Sequence, residues 1–316
     1  MKMKDWKPVE DIKIINGMSV DALVREMGRS GGFTGRKVAE AVDILENMFK
    51  RDNCVVFLSF PACIMATGTR GVIVEMIKRS LVDVIITTCG TLDHDLARVW
   101  RDYYHGDFFM DDAELRHQEV NRLGNVLVPD DSYGIVLEER LVPLFREILE
   151  GRDSISTREL IEEVGKRIGD EGSLLHWCAR KGVRVYVPGI TDGSFGSQLW
   201  MYWQTHRNLK LDLFRDEQEL SDIAFEADET GALIIGGGIS KHHVIWWNQF
   251  RGGLDYAVYL TTAPEYDGSL SGARVREAVS WGKVKETADQ LTVEGDATIT
   301  LPLIAASVIE RLEGED

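Results

Sequence analysis

Five short stretches constrain this chain more than any others: CVVFL at 54–58, VDVII at 82–86, VRVYV at 183–187, ALII at 232–235 and YAVYLT at 256–261. Each is apolar almost without interruption. A strand with one wet face alternates polar and apolar residues; a strand covered on both faces does not need to. Segments with helical spacing lie between them, at 36–49, 72–80, 92–104, 137–149, 156–168, 173–181, 216–229, 240–250, 275–281 and 302–312. Strand and helix in alternation predict an α/β fold, an open, Rossmann-like, mostly parallel sheet with helices on both faces. A helix at 20–27 joins the one at 36–49 as an N-terminal helical appendage, a mainly helical lead-in over 1–50. Residues 105–135, with NRLGNVLVP at 121–129, read as a polar loop, and 297–301 as a short strand-like piece. No linker composition and no repeat divides the 316 residues, so a single domain is expected over 1–316.

A net charge of −16 and an isoelectric point near 4.9 argue against a nucleic-acid partner, which needs a basic face. An acidic surface can instead steer cations such as polyamines. Cys54, Cys63, Cys89 and Cys178 contain no CxxC pair. The first three fall in or just after apolar runs and are expected as buried free thiols, with no metal site. The N-terminal MKMKDWKPVEDIKII lacks the apolar core of a signal peptide, and no run is long enough to span a membrane. A cytoplasmic protein without a membrane partner is expected.

In an open α/β sheet, ligands bind beyond the carboxyl ends of the strands. The loops there are rich in Gly, Thr and Asp, as a nucleotide cradle would be. Gly236-Gly237-Gly238 before a helix fits a phosphate cradle or a plain tight turn. His242 and His243 open that helix, where dipole and burial favour neutral imidazole; they fit proton transfer, or capping and packing. Asp255, Glu265, Asp267 and Glu277 suit a cationic amine, or solvation. Lys283 follows Trp281-Gly282 and is either a surface lysine or a desolvated nucleophile.

GGGISKHH, DYAVYLTTA, DGSLSGAR and EAVSWGK, in that order, resemble deoxyhypusine synthase. TDGS at 191–194, GDAT at 295–298, VDVIITTCG and NRLGNVLVP fit the same pattern. The resemblance spans the chain from about residue 14. It implies that Lys283 forms a covalent imine with a butylamine unit and that His242 moves protons. It puts Trp281 and Glu277 along an amine channel, with Tyr259 and Gly268 at amine-site positions. It assigns NAD contacts to Thr88, Cys89, Gly90, Asp192, Gly237, Thr262, Ala263, Asp296 and Ala297. It further implies a homotetramer with sites between paired subunits.

Several positions depart from the family pattern. Ser197 replaces an amine-binding acid, and Trp246 stands where an asparagine usually follows the histidine by four residues. Ala62, Cys63 and Ala66 replace polar residues of the first cofactor loop. His94 replaces a glutamate that faces cofactor and substrate, and Leu270 an acid. Ser197, Trp246 and His94 therefore count as substrate-side positions. Fewer carboxylates weaken the case for spermidine, and an indole suits a flat guanidinium. The reading that follows is NAD-dependent transfer of an amino- or guanidinobutyl unit to a small amine. Agmatine or putrescine would give a homospermidine-type or bis-guanidino product. The alternatives are deoxyhypusine synthase acting on a lysine of translation initiation factor 5A, and a non-catalytic NAD-binding regulatory protein.

Overall fold

The structure, a computed structural model, describes residues 6–314. In chain order the first half contains α1 (Val20–Ser30), α2 (Phe33–Phe49), β1 (Cys54–Ser59), α3 (Cys63–Ala66), α4 (Arg70–Lys78), β2 (Val84–Ile86), α5 (Cys89–Trp100), β3 (Tyr104–His105), α6 (Asp112–His117), β4 (Val120–Leu123), β5 (Val126–Pro129) and α7 (Gly134–Leu149). The second half contains β6 (Ser154–Ile155), α8 (Thr157–Arg167), α9 (Leu174–Lys181), β7 (Arg184–Tyr186), α10 (Ser194–Gln204), β8 (Lys210–Leu211), α11 (Leu213–Glu226), β9 (Glu229–Ile235), α12 (Gly238–Gln249), β10 (Leu254–Thr261), α13 (Val275–Ser280), β11 (Val284–Glu294) and α14 (Ala297–Glu313).

Six strands form the main sheet in the order β11-β10-β9-β1-β2-β7, and every pair is parallel. The apolar runs are explained by two cores, one on each face. Val56, Leu58, Ile85, Leu233, Ile235, Val258 and Leu260 point to one, against helices that include α2, α4, α5 and α14. Phe57, Val84, Ile86, Ala232, Ile234, Ala257 and Tyr259 point to the other, against α11, α12 and α13. Alternation is present, but both of its phases are apolar. The chain leaves β1 in both directions, through β2 on one side and β9 on the other. That switch point is where an open sheet leaves a crevice beyond its carboxyl ends.

The N-terminal helices complete one face. Ser19 caps α1 by accepting from the Ala22 amide, and Gly31 ends it in the left-handed region. The Glu310 carboxylate accepts from the amides of Val20 and Asp21, and the buried Arg311 guanidinium reaches Asp21, Asp43 and Glu46. Residues 6–19, part of the expected lead-in, contain no helix.

Four expectations change. NRLGNVLVP is the hairpin β4–β5, turned at Gly124 with φ +62°, and β3 extends it to three strands. Its strands are too short and polar to stand out in sequence. Strand β11 was unread because it is a charged edge strand, KETADQ, whose polarity guards an open edge. The strand-like 297–301 is instead the start of α14: Asp296 caps it through the Thr298 amide, and Leu301, Ile304, Ala305 and Val308 are buried at helical spacing. Cys63 is exposed where α3 opens beyond the carboxyl end of β1; Cys54, Cys89 and Cys178 are buried.

Candidate functional site

The nine residues assigned to NAD gather along the carboxyl edge of the sheet. Thr88 precedes α5, which Cys89 and Gly90 open, and Gly237 precedes α12. Thr262 and Ala263 follow β10, and Asp296 and Ala297 begin α14. Asp192 lies exposed in the loop after β7. Backbone bonds lace this edge: Gly236 N–H to Leu260 C=O at 2.7 Å and Gly295 N–H to Thr261 C=O at 2.9 Å.

Local packing there is that of a cradle. Neither α5 nor α12 has a side-chain N-cap, so no capping side chain occupies the first amides of either helix. A Cβ on Gly90 would sit 2.9 Å from that of Ala62, and one on Gly237 2.4 Å from the Ser271 nitrogen. Gly236 has φ +71° and lies beside Pro61, at the switch point. The Ser59 hydroxyl at the end of β1 is buried without a partner among the described residues. Uncapped helix starts, an orphan hydroxyl and a glycine-lined surface fit a dinucleotide. Cys89 contributes main chain only. Its thiol is buried against Gly193, and burial pushes it up to about 12.

Asp93 organises one side of the cradle. Its buried carboxylate accepts from the amides of Ser194 at 2.9 Å and Phe195 at 2.7 Å, and from the Tyr133 hydroxyl at 2.9 Å. It thereby caps α10, whose own N-cap is Gly193. Asp95 does the same for α9, accepting from Ser173 Oγ and the amides of Leu174 and Leu175. Burial raises both carboxyls despite these donors. Ser197 is exposed in the first turn of α10 and donates to Gly193 C=O at 3.0 Å. His94 lies between Tyr103 and Tyr133, with Nδ1 2.9 Å from the Tyr103 hydroxyl; burial pushes it down to about 4.

Lys283 stands at the other end of the sheet, in the turn between α13 and β11. Its N–H donates to Ala278 C=O at 3.0 Å, and its C=O accepts from Leu254 N–H at 3.1 Å. The length of β10 separates its main chain from the cradle loops by about 20 Å. The residue is only 9% exposed, and its Nζ lies 5.3 Å from the centre of the Trp281 indole. Gly282 turns the chain there with φ +66°. Its charge reaches His242, which burial and Lys283 together hold below the ordinary histidine value. Trp246 stacks on His242. Glu277 is exposed on α13, and Gly268 ends a turn with φ +73°. Among the described residues no hydrogen bond or ion pair links His94, Asp192 or Ser197 to Lys283.

Tyr259 is buried, and its hydroxyl has no hydrogen-bond partner among the described residues. Lys241, which the sequence reading passed over, lies 4.2 Å above its ring. The Lys241 ammonium donates to Leu270 C=O at 2.6 Å and Ala273 C=O at 2.7 Å, fixing the 269–273 loop against α12. Burial lowers it to about 8. The signal was available in the sequence: Lys241 shares the inward face of α12 with Val244, Ile245 and Asn248. His243 is a packing histidine, 3.3 Å from Trp247 Nε1 and pushed down to about 4 by burial. Among the described residues no cluster of three His, Cys, Asp or Glu could hold a metal, and no helix is long and apolar enough to cross a membrane.

A family profile described as deoxyhypusine synthase matches residues 22–308. A Picrophilus torridus protein named probable deoxyhypusine synthase is 54% identical over 304 residues, 96% of this chain and 97% of the relative. A Thermoplasma acidophilum protein of the same name is 53% identical over 300 residues, 95% of this chain and 96% of the relative. Among solved structures, an Entamoeba histolytica protein provisionally assigned as a deoxyhypusine synthase superposes with a TM-score of 0.63 at 21% identity, over 95% of both chains. At that identity the likeness speaks for the fold.

Proposed function

Because the chain belongs to the deoxyhypusine synthase family, an NAD-dependent transferase family, we propose that it moves the aminobutyl unit of spermidine through Lys283 to a lysine of translation initiation factor 5A. The observation that carries this reading is the buried Lys283 beside Trp281 and His242. The relatives favour the protein acceptor over the agmatine or putrescine acceptor that the departures at Ser197 and Trp246 suggested.

NAD, when bound at the carboxyl-edge loops, would supply the reversible hydride chemistry that turns the secondary amine into an imine and the final imine into an amine. The uncapped starts of α5 and α12, with Thr262, Ala263, Asp296 and Ala297, would hold it. Lys283 Nζ attacks the resulting substrate imine, and the three-carbon diamine leaves. Lys283 then carries the butyl unit as its own imine. The acceptor lysine displaces Lys283, and reduction fixes the product. His242, held neutral, takes and returns the protons of these amine exchanges. The Trp281 face suits the cationic substrate ends.

The whole chain acts as one NAD-binding unit in this reading, in the cytoplasm with the translation machinery. A homotetramer with sites between paired subunits accounts for the separation of Lys283 from His94, Asp192 and Ser197. The exposed Ile239, Phe250 and Trp281 supply apolar side chains for a second copy.

The test is purified protein with NAD, spermidine and unmodified initiation factor, read by intact mass. Aminobutyl addition to the factor is expected, together with a borohydride-trapped adduct that Lys283→Arg abolishes. An unmodified factor, with agmatine or putrescine consumed instead, would establish the small-amine reading.

A further inference from the structure

We infer that Trp246 is a positioning residue that orients the His242 ring toward Lys283 by stacking on it. The inference rests on the proton-transfer role proposed for His242. The two residues are one turn apart on α12, with ring centroids 5.7 Å apart and planes inclined at 23°. Among the described residues His242 has no hydrogen-bond or ion-pair partner, and the indole is its one ring contact. Which imidazole nitrogen faces the reaction is set by whatever holds the ring. A polar partner would occupy one nitrogen; an indole leaves both free.

His243 shows the contrast one residue away. Its Nε2 is 3.3 Å from Trp247 Nε1 and 3.3 Å from Glu217 Oε1, so polar contacts fix that ring. Trp246 is itself steadied by Phe250, edge-on at 5.3 Å and 90°. His242, Trp246 and Phe250 thus form a ladder at i, i+4 and i+8 along the outer side of α12. Trp246 is 40% exposed, so it fills little of the core. The charged group facing His242 from another element is Lys283, and its titratable neighbour on α12 is His243. Neither bonds to the ring, which leaves the stack as the contact that sets its angle.

The test compares Trp246→Phe, which keeps a stacking ring, with Trp246→Leu and Trp246→Ala, which do not, using His242→Ala as the reference. The Phe variant should hold kcat within about threefold, while Leu and Ala lose about tenfold or more, with KM changed less than about threefold. In NMR spectra the His242 ring protons should lose the indole ring-current displacement in Leu and Ala and keep most of it in Phe. Full kcat in Trp246→Leu with an inactive His242→Ala would overturn the proposal, as would a Phe variant as impaired as Ala. Full activity of His242→Ala would instead remove proton transfer from His242, and the proposal with it. If the Ala variant fails to fold, the Phe–Leu pair decides.

Discussion

Acidification from about pH 7.5 to about pH 5 should cost the fold about 2 kcal/mol through His94 alone. Burial, and secondarily the Arg98 charge, push this imidazole from its ordinary value of 6.5 down to about 4. Its Nδ1 meets the Tyr103 hydroxyl, its ring packs on Tyr103 and Tyr133, and among the described residues no carboxylate bonds to it. The folded value lies below the unfolded one, so between them the unfolded chain binds more protons. The stabilisation is therefore complete above the unfolded value and is lost as pH falls through the window. At pH 5, about 1.5 units below the unfolded value, the loss is about 2 kcal/mol; below both values it approaches about 3.4 kcal/mol. Urea unfolding of wild type and His94→Asn at the two pH values isolates the effect. Asparagine keeps a polar group near the Nδ1 position and does not titrate. Wild type should lose about 2 kcal/mol more than the variant. Equal losses, or a His94 resonance titrating near its ordinary value, would refute the reasoning.

Asp93→Ala strands two amides and the Tyr133 hydroxyl, and should cost about 3 kcal/mol in urea unfolding while weakening NAD binding through the loosened 191–197 loop. NAD affinity equal to wild type would mean that this loop does not serve the cradle. Gly237→Ala drives a Cβ into Ser271, so calorimetric titration should find NAD affinity reduced about tenfold or more with the Lys283 turn intact. Unchanged affinity would place the cofactor elsewhere. Arg311→Met removes the buried cation that joins Asp21 to Glu46, leaving each with one partly exposed partner, Arg25 and Lys50, and should cost about 1–2 kcal/mol. Hydrogen exchange should then open α1 before the sheet; uniform loss of protection would count against a local latch.

The sheet was legible because its central strands are covered on both faces, and only apolar runs satisfy that. Strand β11 was not, since an edge strand with Lys285, Glu286 and Asp289 resembles a loop. The start of α14 was misread because Ile299 and Thr300 are β-branched; the Asp296 cap and the burial spacing override that preference. The start of α8 carries its signal in plain order, Ser156 and Glu159 forming a reciprocal capping box. The site motifs could be quoted from the sequence because their chemistry needs particular side chains in order. Asp93 and Asp95 escaped because their roles come from long-range neighbours. Asp93 meets its partners 101 and 102 residues later. A linear pattern carries no trace of such pairings.

The central position of β1 also bears on how the protein is made. Its register partner on one side, β9, pairs Cys54 with Glu229. A ribosome must add some 175 residues before that edge can close, roughly 10–35 s at ordinary elongation rates. Throughout that interval CVVFLS, among the most apolar segments of the chain, presents an unpaired backbone edge that invites association between nascent chains. A chaperone that shields the growing chain is thus expected to raise the soluble yield more than any change at the mature surface.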